Sequence, residues 1–76
     1  MFSQNIFSER VKSLRENHKL TQQELANIIN VTDKAISLIE TMRRGASIEV
    51  LDALADYFNV SVDYLIGRTD KPEVNK

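Results

Sequence analysis

Apolar positions along this chain recur at three- and four-residue intervals, and nowhere do they alternate over the length of a strand. Phe7, Val11 and Leu14 fall at i, i+4 and i+7 among charged residues and predict a first helix over 5–17. A second, shorter stripe of Leu25, Ala26, Ile28 and Ile29 predicts a helix facing inward through those four residues. Its start is set by Thr21-Gln22-Gln23-Glu24, a capping box in which the threonine hydroxyl and the glutamate carboxylate each satisfy a backbone N–H. It stops at Asn30, a residue that tolerates the left-handed conformation in which many helices end. Thr32 caps a third helix running to Glu40. Ser47 caps a fourth, with Ile48, Leu51, Leu54, Ala55 and Phe58 as its stripe, and Ser61 caps a fifth that holds Val62, Leu65 and Ile66 and ends at Gly67. Residues 1–67 read as one compact all-α domain, and the polar "RTDKPEVNK" of 68–76 reads as a flexible, solvated tail.

Composition narrows the setting. The chain has 76 residues, near the lower limit for a self-sufficient core, and only two glycines and one proline, so its helix breaks rely on caps and asparagines. It has no cysteine, which removes disulfides and thiolate metal sites and makes a reducing cytoplasm the expected compartment. Its longest apolar runs are a few residues, too short for a membrane span. The net charge of −1 conceals a gradient: residues 1–46 carry seven Lys or Arg against five acids, and residues 47–76 carry three against six.

The two helices of "TQQELANIINVTDKAISLIE" are unusually short and separated by a sharp break at Asn30-Val31-Thr32. At about 100° per residue from Asp33, the third helix places Ser37, Thr41, Lys34 and Leu38 between about 40° and 140°, opposite Ala35, Ile39 and Ile36. Its outer face thus carries short hydrogen-bonding, charged and methyl-bearing groups. A B-DNA major groove, about 12 Å wide, admits one such helix. Holding it at a fixed angle while the preceding helix crosses the backbone explains why the pair is short and rigidly bent.

Residues 22–41 resemble the helix-turn-helix of the phage repressor and Cro (XRE, lambda-repressor-like) family. Ala26 stands at the close helix–helix contact, Asn30 at the turn position usually held by glycine, and Ile36 and Ile39 as the apolar anchors of the reading helix. "ERVKSLRENHKLTQQELA" and "SIEVLDALADYFNVSVDYLIG" resemble the family's flanking helices, so the likeness covers about residues 7–67. It implies a five-helix domain that acts as a dimeric transcriptional repressor, reading an inverted repeat in double-stranded DNA. Half-sites would lie about 34 Å apart. By the same resemblance, Asp33, Lys34, Ser37 and Leu38 take base-reading positions, and Gln22, Thr32, Thr41, Arg43 and Arg44 take backbone-contacting ones. Arg15 and Glu40 resemble a partly buried structural ion pair. Val60, Val62, Tyr64 and Ile66, around the fifth helix, are the expected homodimer surface.

The chemistry suggests Lys34 for guanine O6 and N7, Asp33 for cytosine N4, and Leu38 for a thymine methyl. Each has a plainer alternative: Leu38 packing at the core edge, Asp33 favouring a helix N-terminus, and Arg43 and Arg44 as a solvated pair. His18 reads as a loop residue, and Tyr57 and Tyr64 as core or interface aromatics. The chain departs from the family in "ETMRRGAS", where Met42 replaces the expected glycine and Ala46 the proline. Gly45 is therefore expected to take the tight turn along a different path. No metal cluster, activated nucleophile or phosphate cradle is visible, so no enzyme, cofactor or metal is expected. The competing function is an antitoxin or controller module that uses this scaffold to hold a protein partner.

Overall fold

Five α-helices follow one another in the computed structural model, which describes residues 4–43 and 45–73: α1 Gln4–Asn17, α2 Gln22–Ile29, α3 Asp33–Glu40, α4 Ile48–Phe58 and α5 Val62–Leu65. The hydroxyls of Thr21, Thr32, Ser47 and Ser61 open α2 to α5, each accepting the backbone N–H three residues on. At α2 the box is complete, with the Thr21 N–H donating to Glu24 Oε1 at 2.8 Å. Each cap satisfies a donor that the helix cannot satisfy within itself.

The other ends share a device as well. Lys19, Asn30, Met42, Asn59 and Gly67 follow the five helices with positive φ, and only one of them is glycine. In each case the next residue's N–H reaches back five positions: Leu20 to Arg15, Val31 to Ala26, Arg43 to Leu38, Val60 to Ala55 and Arg68 to Asp63. These are Schellman closures, which satisfy orphan carbonyls and turn the chain sharply. Leu20, Val31 and Val60 then bring an apolar side chain onto the core immediately after the turn.

The core gathers Phe7 and Val11 from α1, Leu25 and Ala26 from α2, Ile36 and Ile39 from α3, and Leu54, Ala55 and Phe58 from α4. Val60 and Leu65 complete it. Burying a large apolar side chain stabilises by about 1.5–3 kcal/mol, so no single helix here stands without the others. His18 sets its ring edge-on to Phe58, with centroids 4.9 Å apart, and closes the end of α1 against α4.

The structure corrects several sequence expectations. Ile28 is 43% exposed, because it lies about 110° around α2 from the centre of the Leu25, Ala26 and Ile29 face. Ile48 is 81% exposed: in the first turn of α4 it is Val50 and Leu51 that pack partly against the core, and the buried members of the helix begin at Leu54. Met42, not Gly45, takes the left-handed turn, with φ 64°, so the chain keeps a turn at the position expected of glycine in spite of the substitution. Beyond Gly67 the polar segment runs back over the domain. The Arg10 guanidinium donates to the carbonyls of Tyr64 and Thr69, pairs with Asp70 at 3.0 Å and lies 4.0 Å over the Tyr64 ring. The Ser61 N–H donates to Pro72 O at 3.0 Å. Residues 69–72 are thus held by specific bonds, while residues 74–76 of the expected tail lie outside the described residues.

Candidate nucleic-acid interface

The bend between α2 and α3 is built from three consecutive residues. Asn30 turns left-handed, Val31 returns its N–H to Ala26, and Thr32 caps α3 through a 3.1 Å bond from the Ala35 N–H. Ala26 is fully buried, and no larger side chain interrupts the helix face at that point. Ile36 and Ile39 carry α3 into the core, leaving Thr32, Asp33, Lys34 and Thr41 exposed and Ser37 and Leu38 half-buried on the other side. The base-reading set of the sequence analysis therefore occupies one accessible face, with Asp33 and Lys34 at its N-terminal end.

The opposite end of α3 is fastened to α1. Arg15 Nε donates to Glu40 Oε2 at 2.7 Å and Nη2 to Glu40 Oε1 at 3.1 Å, a bidentate pair whose side chains are 13% and 4% exposed. Arg15 Nη1 also donates to Leu20 O at 2.7 Å. The hydrogen bond to Glu40 holds the Arg15 pKa above its ordinary value, against the opposing effect of burial. Gln22 joins this network: its Nε2 donates to Glu40 Oε1 at 3.2 Å. That leaves the amide carbonyl, which cannot donate to a phosphate, and the second amide proton.

Ser8 was not singled out by sequence reasoning. It is 3% exposed, and its hydroxyl donates to Ile39 O at 2.5 Å. The signal was available, since a small hydroxyl between Phe7 and Val11 on the apolar face of α1 needs a buried acceptor.

The remaining positions separate. Thr41 turns its hydroxyl back onto Ser37 O at 2.9 Å and Leu38 O at 3.3 Å, so its side chain closes α3 itself. Thr32 accepts from Ala35 and still has its own proton to donate. Arg43 is exposed just beyond Met42, whereas Arg44 lies outside the described residues. Of the four expected dimer residues, Val60 is buried in the core and Tyr64 is half-buried beneath Arg10. Val62 and Ile66 keep partial access. Among the described residues, no helix is long and apolar enough to cross a membrane, and no group of His, Cys, Asp or Glu could hold a metal.

Comparison with known proteins accords with this geometry. Residues 11–65 match the helix-turn-helix family. The chain is 34% identical over 68 residues to the HTH-type transcriptional regulator YobD of Bacillus subtilis, covering 90% of this chain and 61% of that protein. It is 34% identical over 62 residues to the antitoxin PezA of Streptococcus pneumoniae, covering 82% and 39% respectively. The chain thus spans between about two fifths and three fifths of these relatives' length. Among solved structures, the P22 c2 repressor in complex with a synthetic operator superposes with a TM-score of 0.77 at 31% identity, covering 80% of this chain and 92% of that one. The chain belongs to the phage-repressor (XRE) type of the helix-turn-helix family, a family of DNA-binding transcription regulators and not of enzymes.

Proposed function

We infer that this protein binds double-stranded DNA in a sequence-specific manner as a homodimer on an inverted repeat and represses transcription there from the cytoplasm. Residues 1–67 are the DNA-binding domain in this reading. The observation that carries it is α3 itself: Asp33, Lys34, Ser37 and Leu38 share an accessible face, while Ser8 and Arg15 fasten its far end to α1. A helix fixed in this way enters a major groove without losing orientational freedom on binding, which keeps base contacts worth about 1–3 kcal/mol each. Lys34 reads guanine, Asp33 accepts from cytosine N4, and Leu38 meets a thymine methyl. Thr32, Gln22, Thr41, Arg43 and Arg44 attend the phosphates, with Gln22 and Thr41 limited to what their internal bonds leave over.

One short helix reads few base pairs, and phosphate contacts alone give weak, salt-sensitive binding. Two copies around a twofold axis double the contacts and demand half-sites about 34 Å apart. Selection of binding sites from a random duplex library at two salt concentrations tests this. Enrichment of an inverted repeat with that spacing is the expected result, and the absence of any enriched sequence overturns it.

A second reading, an antitoxin-type module that holds a protein partner, is favoured by the 34% identity to PezA and by the exposed acid Asp33 on the reading face. It predicts weak duplex binding that vanishes as salt rises, with no preferred sequence.

A further inference from the structure

α3 packs against α2 and α1 and only sparsely against α4. The gap is a groove of about 380 Å³ that reaches from the bend before α3 to the first turn of α4. Val31, Ala35, Ile39 and Val50 give it apolar walls, and Gly45 and Ala46 line it along the connection between the two helices. These residues leave it open, because Val31 and Val50 are stiff at χ1 and Ala35, Gly45 and Ala46 have no side chain to reach across. Thr32 and Ser47 add its hydroxyls. Each accepts a capping N–H, from Ala35 at 3.1 Å and from Val50 at 3.2 Å, and keeps its own proton to donate. None of the described residues that line the groove is charged.

Size and charge together select an occupant. Pockets for small molecules run from about 300 to 1,000 Å³, mostly apolar with a few placed polar groups, and this groove stands at the lower end of that range. Walls without a compensating charge penalise an ion, whose removal from water goes unrepaid there. A wholly apolar molecule would leave the hydroxyl protons unmet, which costs as well. We propose that the groove between α3 and α4 is a binding site for a small neutral molecule, largely apolar, that carries a hydrogen-bond acceptor such as a carbonyl oxygen. Thr32 and Ser47 donate to that acceptor, and the aliphatic walls cover the rest. The site adjoins the reading helix, but it does not depend on the DNA-binding reading.

Titration of the full chain with acetophenone, followed through its backbone amide resonances, tests the site. Saturable shifts gathered at Val31, Ala35, Ala46 and Val50 are expected, with a Kd of about a millimolar, a strength that a ligand of this size sustains. Ethylbenzene has nearly the same shape without the acceptor and is expected to bind about fivefold more weakly. Benzoate, which puts a charge in place of the ketone, is expected to bind more weakly still. Ala35→Leu and Ala46→Leu fill the groove from α3 and from the connection, and retained helical circular dichroism shows that each folds. Either one is expected to weaken acetophenone binding by about tenfold or more. Shifts that never saturate or scatter over the surface, or filled variants that bind as the native chain does, overturn the site. Ethylbenzene binding as well as acetophenone overturns the role of the acceptor. Benzoate binding more tightly than acetophenone overturns the neutral ligand and gives the groove to an anion.

Discussion

Ser8 on α1 and Ile39 on α3 are joined by a buried hydrogen bond, 2.5 Å from Ser8 Oγ to the Ile39 carbonyl oxygen, and the same carbonyl accepts the Met42 N–H at 3.2 Å. Together with the Arg15–Glu40 pair, it ties the last turn of α3 to α1 at two points, while Asp33 and Lys34 at the other end of the helix stay exposed. Both halves of α3 reach the core, through Ile36 and Ile39, but only its C-terminal end is also tied to α1 by polar bonds.

The ion pair is the costlier of the two ties to break. Replacing Arg15 with Met strands the Glu40 carboxylate, 4% exposed, beside an apolar chain. The expected loss is about 3–5 kcal/mol, a large share of what a domain of this size has. The double variant Arg15→Met/Glu40→Leu removes both charges and is expected to recover most of that loss, as urea denaturation of the three proteins would register. Because the Arg15 pKa is raised in the folded state, its share of the stability is complete below the unfolded value. It is lost only as pH climbs through the folded value, so this group adds no pH dependence near neutrality.

Met42 and Gly67 perform the same turn with opposite tolerance. Met42 holds φ 64° at a steric cost of about 1–2 kcal/mol for a residue with a Cβ, and its side chain is half-exposed, so little packing is at stake. Met42→Gly removes that cost and adds back about 0.4–1 kcal/mol of unfolded-state entropy. A net gain of about 0.5–1 kcal/mol in urea unfolding is expected. Gly67→Ala should lose about 1–2 kcal/mol, because φ is 86° and the new Cβ would sit 3.1–3.3 Å from three atoms of Ile6. A Met42→Gly variant less stable than the native chain would mean that the methionine packs more than it strains.

The legibility of the sequence obeys the same physics. Thr21, Thr32, Ser47 and Ser61 announced four helix starts because a hydroxyl cap is a chemical requirement that few residues meet. Asn30 and Gly67 announced two ends for a similar reason. Lys19, Met42 and Asn59 close the other three helices, and lysine and methionine carry no left-handed signature. Their φ values are imposed by the closing hydrogen bonds and by the packing of the next residue along the chain, Leu20 returning to the core after Lys19 and Val60 after Asn59. Gly45 misled for the converse reason, since a glycine permits positive φ without requiring it. On α3 the angular sorting of residues separated the accessible face from the core face. Ser8, and the internal engagement of Gln22 and Thr41, depend on which acceptors tertiary packing brings near, and no spacing along the chain reports that.

Arg10 is the latch of the segment after α5. Its guanidinium is bonded to two carbonyls, paired with Asp70 and stacked on Tyr64, whereas Asp70 is fully exposed. Removing the arginine therefore releases much more than removing the acid. Arg10→Met is expected to raise amide exchange at Ser61, whose N–H is bonded to Pro72 O, while Asp70→Asn leaves it near the native rate. Equal exchange in the two variants would show that Pro72 stays docked without the latch.

The reading face gives the prediction closest to function. Lys34 is exposed in the first turn of α3, one residue from Asp33, and it is the only cation that this face carries between Thr32 and Thr41. A lysine engaged with guanine O6 and N7 discriminates by about 1–3 kcal/mol, or roughly fivefold to 150-fold, at one position of each half-site. A lysine that meets only phosphate weakens binding to all sequences alike and lowers the slope of log K against log salt by about 1. Lys34→Ala in a binding-site selection separates these roles. The expected outcome is an operator motif that loses its preference at one symmetric pair of positions and keeps it elsewhere. An unchanged motif with uniformly weaker, less salt-dependent binding would move Lys34 to the backbone and leave base reading to Asp33, Ser37 and Leu38.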